Sequence, residues 1–241
     1  MILVTGGTGL IGSHLLFQLV QEGKSVKATY RTQKSLEKVS KIFDYYTDHS
    51  ETLLDKITWV QADITDVGAL ENAFTDVTHV YHCAALISFD PRQLDQLIQA
   101  NSEATANMVN LCIAKGVKKL CYVSSIAAIG PSVKGKMATE ENEWNDTNVS
   151  VYGLTKHDAE LEVWRGSQEG LSVVVVNPGL VIDDPRAPLA GILKFVLKST
   201  PAIANDILKP GMDECAYPRT PVAAAHELNK MFKDTVRLLP R

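Results

Sequence analysis

The chain has 241 residues, 45% apolar and 22% charged, with a net charge of −4, the composition of a globular α/β protein forming one large domain or a domain with a small appendage. That balance excludes a nucleic-acid partner, since no basic stripe would release counterions, and the cluster Lys115, Lys118 and Lys119 reads as solvated surface. Cys83, Cys112, Cys121 and Cys215 lack C-x-x-C spacing, no apolar run is long enough to span a bilayer, and the chain opens in a strand rather than a signal peptide; the expectation is a reduced, soluble cytoplasmic protein with no zinc site, disulfide framework or membrane partner.

The first predicted element is a minimal apolar strand, Ile2–Thr5. The turn Thr5-Gly6-Gly7-Thr8-Gly9-Leu10-Ile11-Gly12 follows and opens a helix over about 9–22. In a strand–turn–helix setting Gly6 allows the tight turn, Gly9 lets a pyrophosphate approach the backbone, and Gly12 lets helix pack closely on strand. The helix's free N–H groups and positive dipole end then attract the phosphates. A second strand, Ser25–Tyr30, ends in Ala28-Thr29-Tyr30-Arg31, without a carboxylate. Residues Gln33–Asp48 read as a polar helical stretch, Ile57–Val60 as a third strand, and 66–75 as a short helix. The fourth strand is Thr78–Cys83, the next helix Pro91–Lys115, and the fifth strand Val117–Ser124.

Residues Pro131–Ser150, with the Glu140-Glu141 pair, form a polar surface excursion. A helix over Val151–Glu169 leads to the sixth strand, Leu171–Asn177, whose run Val173–Val176 suits burial on both faces. Beyond Pro178 the pattern dissolves into Pro-rich turns, with apolar helices near Leu189–Lys198 and Pro221–Lys233. Six strands separated by helices predict a doubly wound parallel sheet with ligands at the carboxyl ends of its strands. The expected division is 1–182 for this domain and 183–241 for a short substrate-facing segment.

Tyr152-Gly153-Leu154-Thr155-Lys156 places a phenol and an ammonium one helical turn apart on one face. A neighbouring lysine favours the phenolate and lowers the phenol's pKa, which suits proton exchange with an alcohol oxygen. Tyr30 and Lys34 repeat the spacing in the turn after the second strand, away from any reaction centre, so spacing alone also describes an exposed helix face. Position decides: Ser125 closes the fifth strand 27 residues earlier, and Asn177-Pro178-Gly179 closes the sixth at the same edge.

On these residues, together with Ala62-Asp63-Ile64, Cys83-Ala84-Ala85 and Asn101, the chain resembles the extended short-chain dehydrogenases/reductases of the NAD-dependent epimerase/dehydratase type, over residues 1 to about 182. Through Ser124-Ser125-Ile126-Ala127-Ala128-Ile129-Gly130 it is most similar to their dihydroflavonol-4-reductase-like and 3β-hydroxysteroid-dehydrogenase-like branch. The resemblance implies a Rossmann-type sheet and an NAD(P)-dependent oxidoreductase acting on a secondary alcohol or ketone. It implies Tyr152 as general acid/base and Lys156 as the residue that lowers its pKa and holds the nicotinamide ribose. Ser125, in preference to Ser124, would hold the substrate oxygen, and Asn101 would order a relay water. For the cofactor it implies Gly6, Thr8, Gly9, Leu10, Ile11 and Gly12 at the phosphates and Asp63 and Ile64 at the adenine. Ala84 and Ala85 would line the channel, with Asn177 and Pro178 at its far end.

The missing acid and the present Arg31 put NADP ahead of NAD, because a guanidinium can pair with a 2′-phosphate. Histidine offers no metal set: His79 and His82 are three apart on a strand and face opposite sides, and His82 and His157 read as structural. Leu86, Ile87 and Phe89 serve as an apolar pocket wall or as core packing. The rival functions are a nucleotide-sugar epimerase or dehydratase that retains NAD, a non-catalytic NADP-binding sensor, and a fold with an impaired site. The last follows from the tail. Pro221–His226 is a weak match to the acidic motif that family members carry in a larger lobe, and Val181-Ile182-Asp183-Asp184-Pro185 stands where they tend to have Gly-Pro. A short lobe would leave the nicotinamide end open to water, or be completed by the partner of a homodimer.

Overall fold

A computed structural model describes residues 1–130, 139, 142–146, 149–179 and 181; the two helices expected beyond Pro178, the 183–241 segment, the Glu140-Glu141 pair and Cys215 lie outside the described residues. Strands β1 (Ile2–Thr5), β2 (Val26–Tyr30), β3 (Ile57–Gln61), β4 (His79–His82), β5 (Lys119–Val123) and β6 (Val173–Val176) form one parallel sheet. Its order is β3-β2-β1-β4-β5-β6. The order reverses between β1 and β4, and the crevice outside their carboxyl ends is where such a sheet takes a ligand. The helices are α1 (Leu10–Gln21), α2 (Leu36–Asp44), α3 (Ser50–Leu54), α4 (Val67–Ala73), α5 (Leu94–Leu97), α6 (Ala104–Ala114) and α7 (Val151–Gln168).

Strand alternation assigns the two faces. Val4, Ala28, Tyr81 and Cys121 meet Leu15, Leu16 and Leu19 of α1 and Phe43 of α2 on one side. Leu3, Val80, Leu120 and Tyr122 meet Leu70 of α4, Met108 of α6 and Ala159 of α7 on the other. Burying each of these large side chains contributes about 1.5–3 kcal/mol, so the sheet is held from both faces.

Three elements differ from the sequence reading. The stretch 33–48 is a 3-10 turn, Gln33–Ser35, followed by α2, and α3 stands where no element was expected. Tertiary contacts end α2: Tyr46 stacks on Phe17 with centroids 4.1 Å apart and its hydroxyl bonds His14 Nδ1 at 2.6 Å. Ser50 donates to Asp44 Oδ1 at 2.5 Å, which folds the chain back into α3. The helix over 91–115 is interrupted by a π-helical stretch, Ile98–Glu103, between α5 and α6. In β6 only Val174 and Val176 are buried, while Val173 and Val175 are half-buried, because β6 is the outermost strand of the described sheet. Among the described residues no helix is long and apolar enough to cross a membrane, and no group of three or more His, Cys, Asp or Glu is placed to hold a metal.

Candidate active site

The turn between β1 and α1 is shaped by backbone against backbone. Gly6 has φ +67°, and a Cβ there would lie 2.6 Å from the Ala84 nitrogen. At Gly12 a Cβ would lie 2.1 Å from the Gly6 carbonyl oxygen, closer than any side chain can approach. The first hydrogen bond of α1 runs from Ser13 N to Gly9 O, which leaves the amides of Leu10, Ile11 and Gly12 without helical partners. No side chain caps this terminus and no acidic residue stands in its first turn, so nothing of the helix's own competes for an anion there. The donor set suits a pyrophosphate.

The strands beside β1 complete that edge. Arg31, just past β2, is exposed; its carbonyl accepts from Gln61 Nε2. Asp63, past β3, accepts from Thr65 N at 3.0 Å and Thr65 Oγ1 at 2.8 Å, which fixes the loop that carries half-buried Ile64. Ala84 and Ala85 follow β4, and Ala84 abuts the Gly6 turn.

Ser125, Tyr152 and Lys156 belong to the β5 and α7 side of the same edge. Ser150 caps α7 by accepting from Gly153 N at 3.0 Å, which starts the helix just before Tyr152. The Ser125 hydroxyl accepts from Ala127 N at 3.1 Å and is hydrogen-bonded to Tyr152. Ser124, 4% exposed, has a hydroxyl with no hydrogen-bond partner among the described residues. The geometry therefore pairs Ser125, not Ser124, with the phenol. Phe89 lies edge-on to the Tyr152 ring, centroids 5.7 Å apart.

The expected lowering of the phenol's pKa is not what the structure shows. Burial raises Tyr152, and the Ser125 hydrogen bond offsets only part of that. Lys156, 1% exposed, is itself pushed down to about 7 by burial, against the opposing charge of Glu160. Its amine donates to the Tyr122 hydroxyl at 2.5 Å and the Val123 carbonyl at 3.0 Å. A lysine that gives up its charge near neutrality stabilises a phenolate poorly.

Asn101 sits inside the π-helical stretch, and both polar atoms of its side chain are hydrogen-bonded. Its Oδ1 accepts from Leu86 N at 2.8 Å, and its Nδ2 donates to Leu86 O and to Thr155 Oγ1. It thus ties the loop after β4 to α7. Asn177 donates to the Ser125 carbonyl at 3.1 Å and to Glu160 Oε1 at 2.5 Å, while the Pro178 carbonyl accepts from Ile126 N. These bonds join the end of β6 to the serine.

Four participants were missed or undervalued in the sequence: Tyr122, Thr105, His82 and Glu160. His82 bonds Thr5 Oγ1 at 2.6 Å and Thr105 Oγ1 at 3.1 Å; Thr105 in turn bonds Tyr122. Burial, then the Lys156 charge, pushes His82 down to about 3. One local signal existed: Glu160 lies four residues after Lys156 on α7. No local signal marks Thr105. His157, by contrast, stacks on Trp144 at 3.8 Å, away from this chain of bonds.

The profile of the NAD dependent epimerase/dehydratase family matches residues 2–183. A putative dihydroflavonol 4-reductase of Synechocystis sp. is 28% identical over 207 residues, covering 84% of this chain and 56% of that protein. Tetraketide alpha-pyrone reductase 2 of Arabidopsis thaliana is 30% identical over 201 residues, covering 78% and 60%. Among solved structures, the terminal R domain from the myxalamid PKS-NRPS biosynthetic pathway superposes with a TM-score of 0.66 at 25% identity, covering 77% of this chain and 50% of that one. The chain thus spans somewhat over half the length of the curated relatives it matches. With the strand order, the glycine turn and the Ser125–Tyr152 pair, the match over 2–183 makes this chain a member of the NAD-dependent epimerase/dehydratase family, with a Rossmann-type site for a nicotinamide cofactor.

Proposed function

We propose that the chain is an NADP-dependent reductase of apolar ketones, interconverting a carbonyl and a secondary alcohol. The observation that carries this reading is the buried Tyr152 phenol hydrogen-bonded to Ser125. Because burial holds that phenol protonated, it is a proton donor at neutral pH, which favours the reducing direction. A nicotinamide cofactor supplies the hydride when bound. Tyr152 then gives its Oη proton to the substrate oxygen, and the Ser125 hydroxyl hydrogen-bonds that oxygen as alkoxide charge develops. The amides of Leu10, Ile11 and Gly12 would hold the pyrophosphate, Arg31 the 2′-phosphate, and Asp63 and Ile64 the adenine. Ala84, Ala85, Lys156, Asn177 and Pro178 would border the nicotinamide half.

The walls support an apolar substrate class. Ile87 is 66% exposed and Ile126 50% exposed, on the loops that follow β4 and β5, and Phe89 faces Tyr152. An apolar, ring-bearing ketone would cover this surface. The test is calorimetric titration with NADPH and with NADH, followed by NADPH oxidation against a set of apolar aldehydes and ketones. Preferred NADPH binding with turnover is expected. Failure to bind either, or tight NAD retained through purification, overturns the reading, and the second outcome favours an epimerase or dehydratase.

A further inference from the structure

Behind the site lies a line of side chains, of which the reaction above uses only Lys156: Lys156, Tyr122, Thr105, His82 and Thr5. Lys156 bonds Tyr122, and His82 bonds both Thr105 and Thr5; Thr105 neighbours the Tyr122 hydroxyl and joins the two pieces, and all five are 0–1% exposed. The line starts at the amine one turn from Tyr152 and ends at Thr5, the residue before the Gly6 turn. It crosses three strands and α6, so only the assembled sheet brings it together.

The donors and acceptors give it a direction. A lysine ammonium only donates, so the Tyr122 oxygen must accept from it. The single Tyr122 proton is then satisfied by Thr105, the Thr105 proton by His82 Nε2, and the proton on His82 Nδ1 by Thr5. The opposite order would leave the Tyr122 proton unpaired in a dry interior, at the cost of an unmade buried hydrogen bond. A charged Lys156 therefore requires a neutral His82 with its proton on Nδ1.

We propose that Tyr122, oriented by Thr105 and the Nδ1–H tautomer of His82, is a positioning residue that fixes the place and the charge of Lys156. It acts on the reaction only through that lysine, and in this it rests on the function proposed above. The other titratable groups around the amine are Glu160 and Tyr152 on α7, and Cys83 after β4. None of them takes over the bond from Tyr122, since the remaining described partner of the amine is the Val123 carbonyl.

The test reads the lysine directly. In full-length protein with 13C,15N-lysine, the Lys156 side-chain resonance is identified by its loss in Lys156→Met and followed against pH. The wild-type midpoint is expected near 7, and Tyr122→Phe, which keeps the ring, is expected to lower it by about one unit, tenfold in the acid constant. Thr105→Val should move it the same way by less. An unchanged midpoint in a folded Tyr122→Phe protein overturns the proposal. Should that variant not fold, the 15N shifts of wild-type His82 decide: a proton on Nδ1 supports the chain as drawn, and a proton on Nε2 overturns it. In turnover, Tyr122→Phe should lower kcat about tenfold and shift its pH profile with the midpoint. A wild-type protein without carbonyl turnover would remove the proposed function while leaving the titration and the tautomer readable, so the two failures are distinct.

Discussion

The two halves of the sheet make their sites by different means. Around β1, β2 and β3 the surface is backbone: three free amides and a glycine turn whose contacts at Gly6 and Gly12 are so close that an added carbon collides. Around β4, β5 and β6 it is side chains, several of them polar and almost wholly buried. A backbone cradle tolerates no adjustment and its chemistry is nearly independent of pH. A buried side-chain site is adjustable, and its groups shift one another's protonation. The glycine half therefore holds or fails to hold, while the tyrosine half can be graded.

The contrast is broken most severely by Gly12→Ala. A Cβ there meets the Gly6 carbonyl oxygen at 2.1 Å, and neither partner is a flexible side chain that can turn away. Native stability is expected to fall by about 3 kcal/mol, with dinucleotide binding lost. Thermal unfolding and NADPH titration read the two effects. A variant that binds NADPH normally would show that the turn is looser than its contacts imply.

Tyr152→Phe should do the reverse. The ring keeps its packing against Phe89, so stability and NADPH affinity are expected to stay near wild type. Loss of the proton donor should lower kcat by about 10²- to 10⁴-fold. Comparable losses in kcat and in cofactor affinity would mean that Tyr152 holds the cofactor rather than the substrate proton.

Lys156→Met isolates the adjustable half through stability. The native lysine is held near 7 against an ordinary 10.5. Between those values the unfolded chain binds a proton that the native protein does not, so wild-type stability rises with pH across that window. The cost of burying the lysine is fully present below about pH 7 and fades towards 10.5. The variant lacks this term. Its stability relative to wild type should be greatest at about pH 7 and decline by up to about 1.4 kcal/mol per pH unit above it. The slope is the diagnostic, because lost bonds to Tyr122 and Val123 add a constant. A flat difference across the window would show that the lysine titrates normally in the native protein.

These two styles of construction also explain what could be read in advance. Glycine requirements are local: strand, turn and helix lie within twelve residues, so the sequence of the turn already carried its shape. Strand alternation likewise exposed the doubly wound sheet. Ser125, Tyr152 and Asn177 were legible as residues at one edge, since each closes a strand or opens a helix. What they do to one another was not. The direction of the Tyr152 shift depends on burial, and the docking of Lys156 on Tyr122 joins residues 34 apart in sequence. The π-helical stretch at Asn101 and the early end of α2 arise the same way, from contacts with Leu86, Thr155 and Phe17 that no local pattern encodes.

Arg31 tests the comparison at its mildest point, where a side chain has been added to the backbone half. Among the described residues its guanidinium pairs with no carboxylate, and only its carbonyl is engaged, by Gln61. Removing the side chain therefore leaves no buried charge behind and disturbs no packing. Arg31→Ala should leave thermal stability and NADH affinity unchanged and weaken NADPH about tenfold, about 1.4 kcal/mol, an effect that shrinks as salt rises because the pair would be exposed. Equal losses for both dinucleotides would mean that the arginine supports the loop instead. In that case the glycine half would owe nothing to side-chain charge.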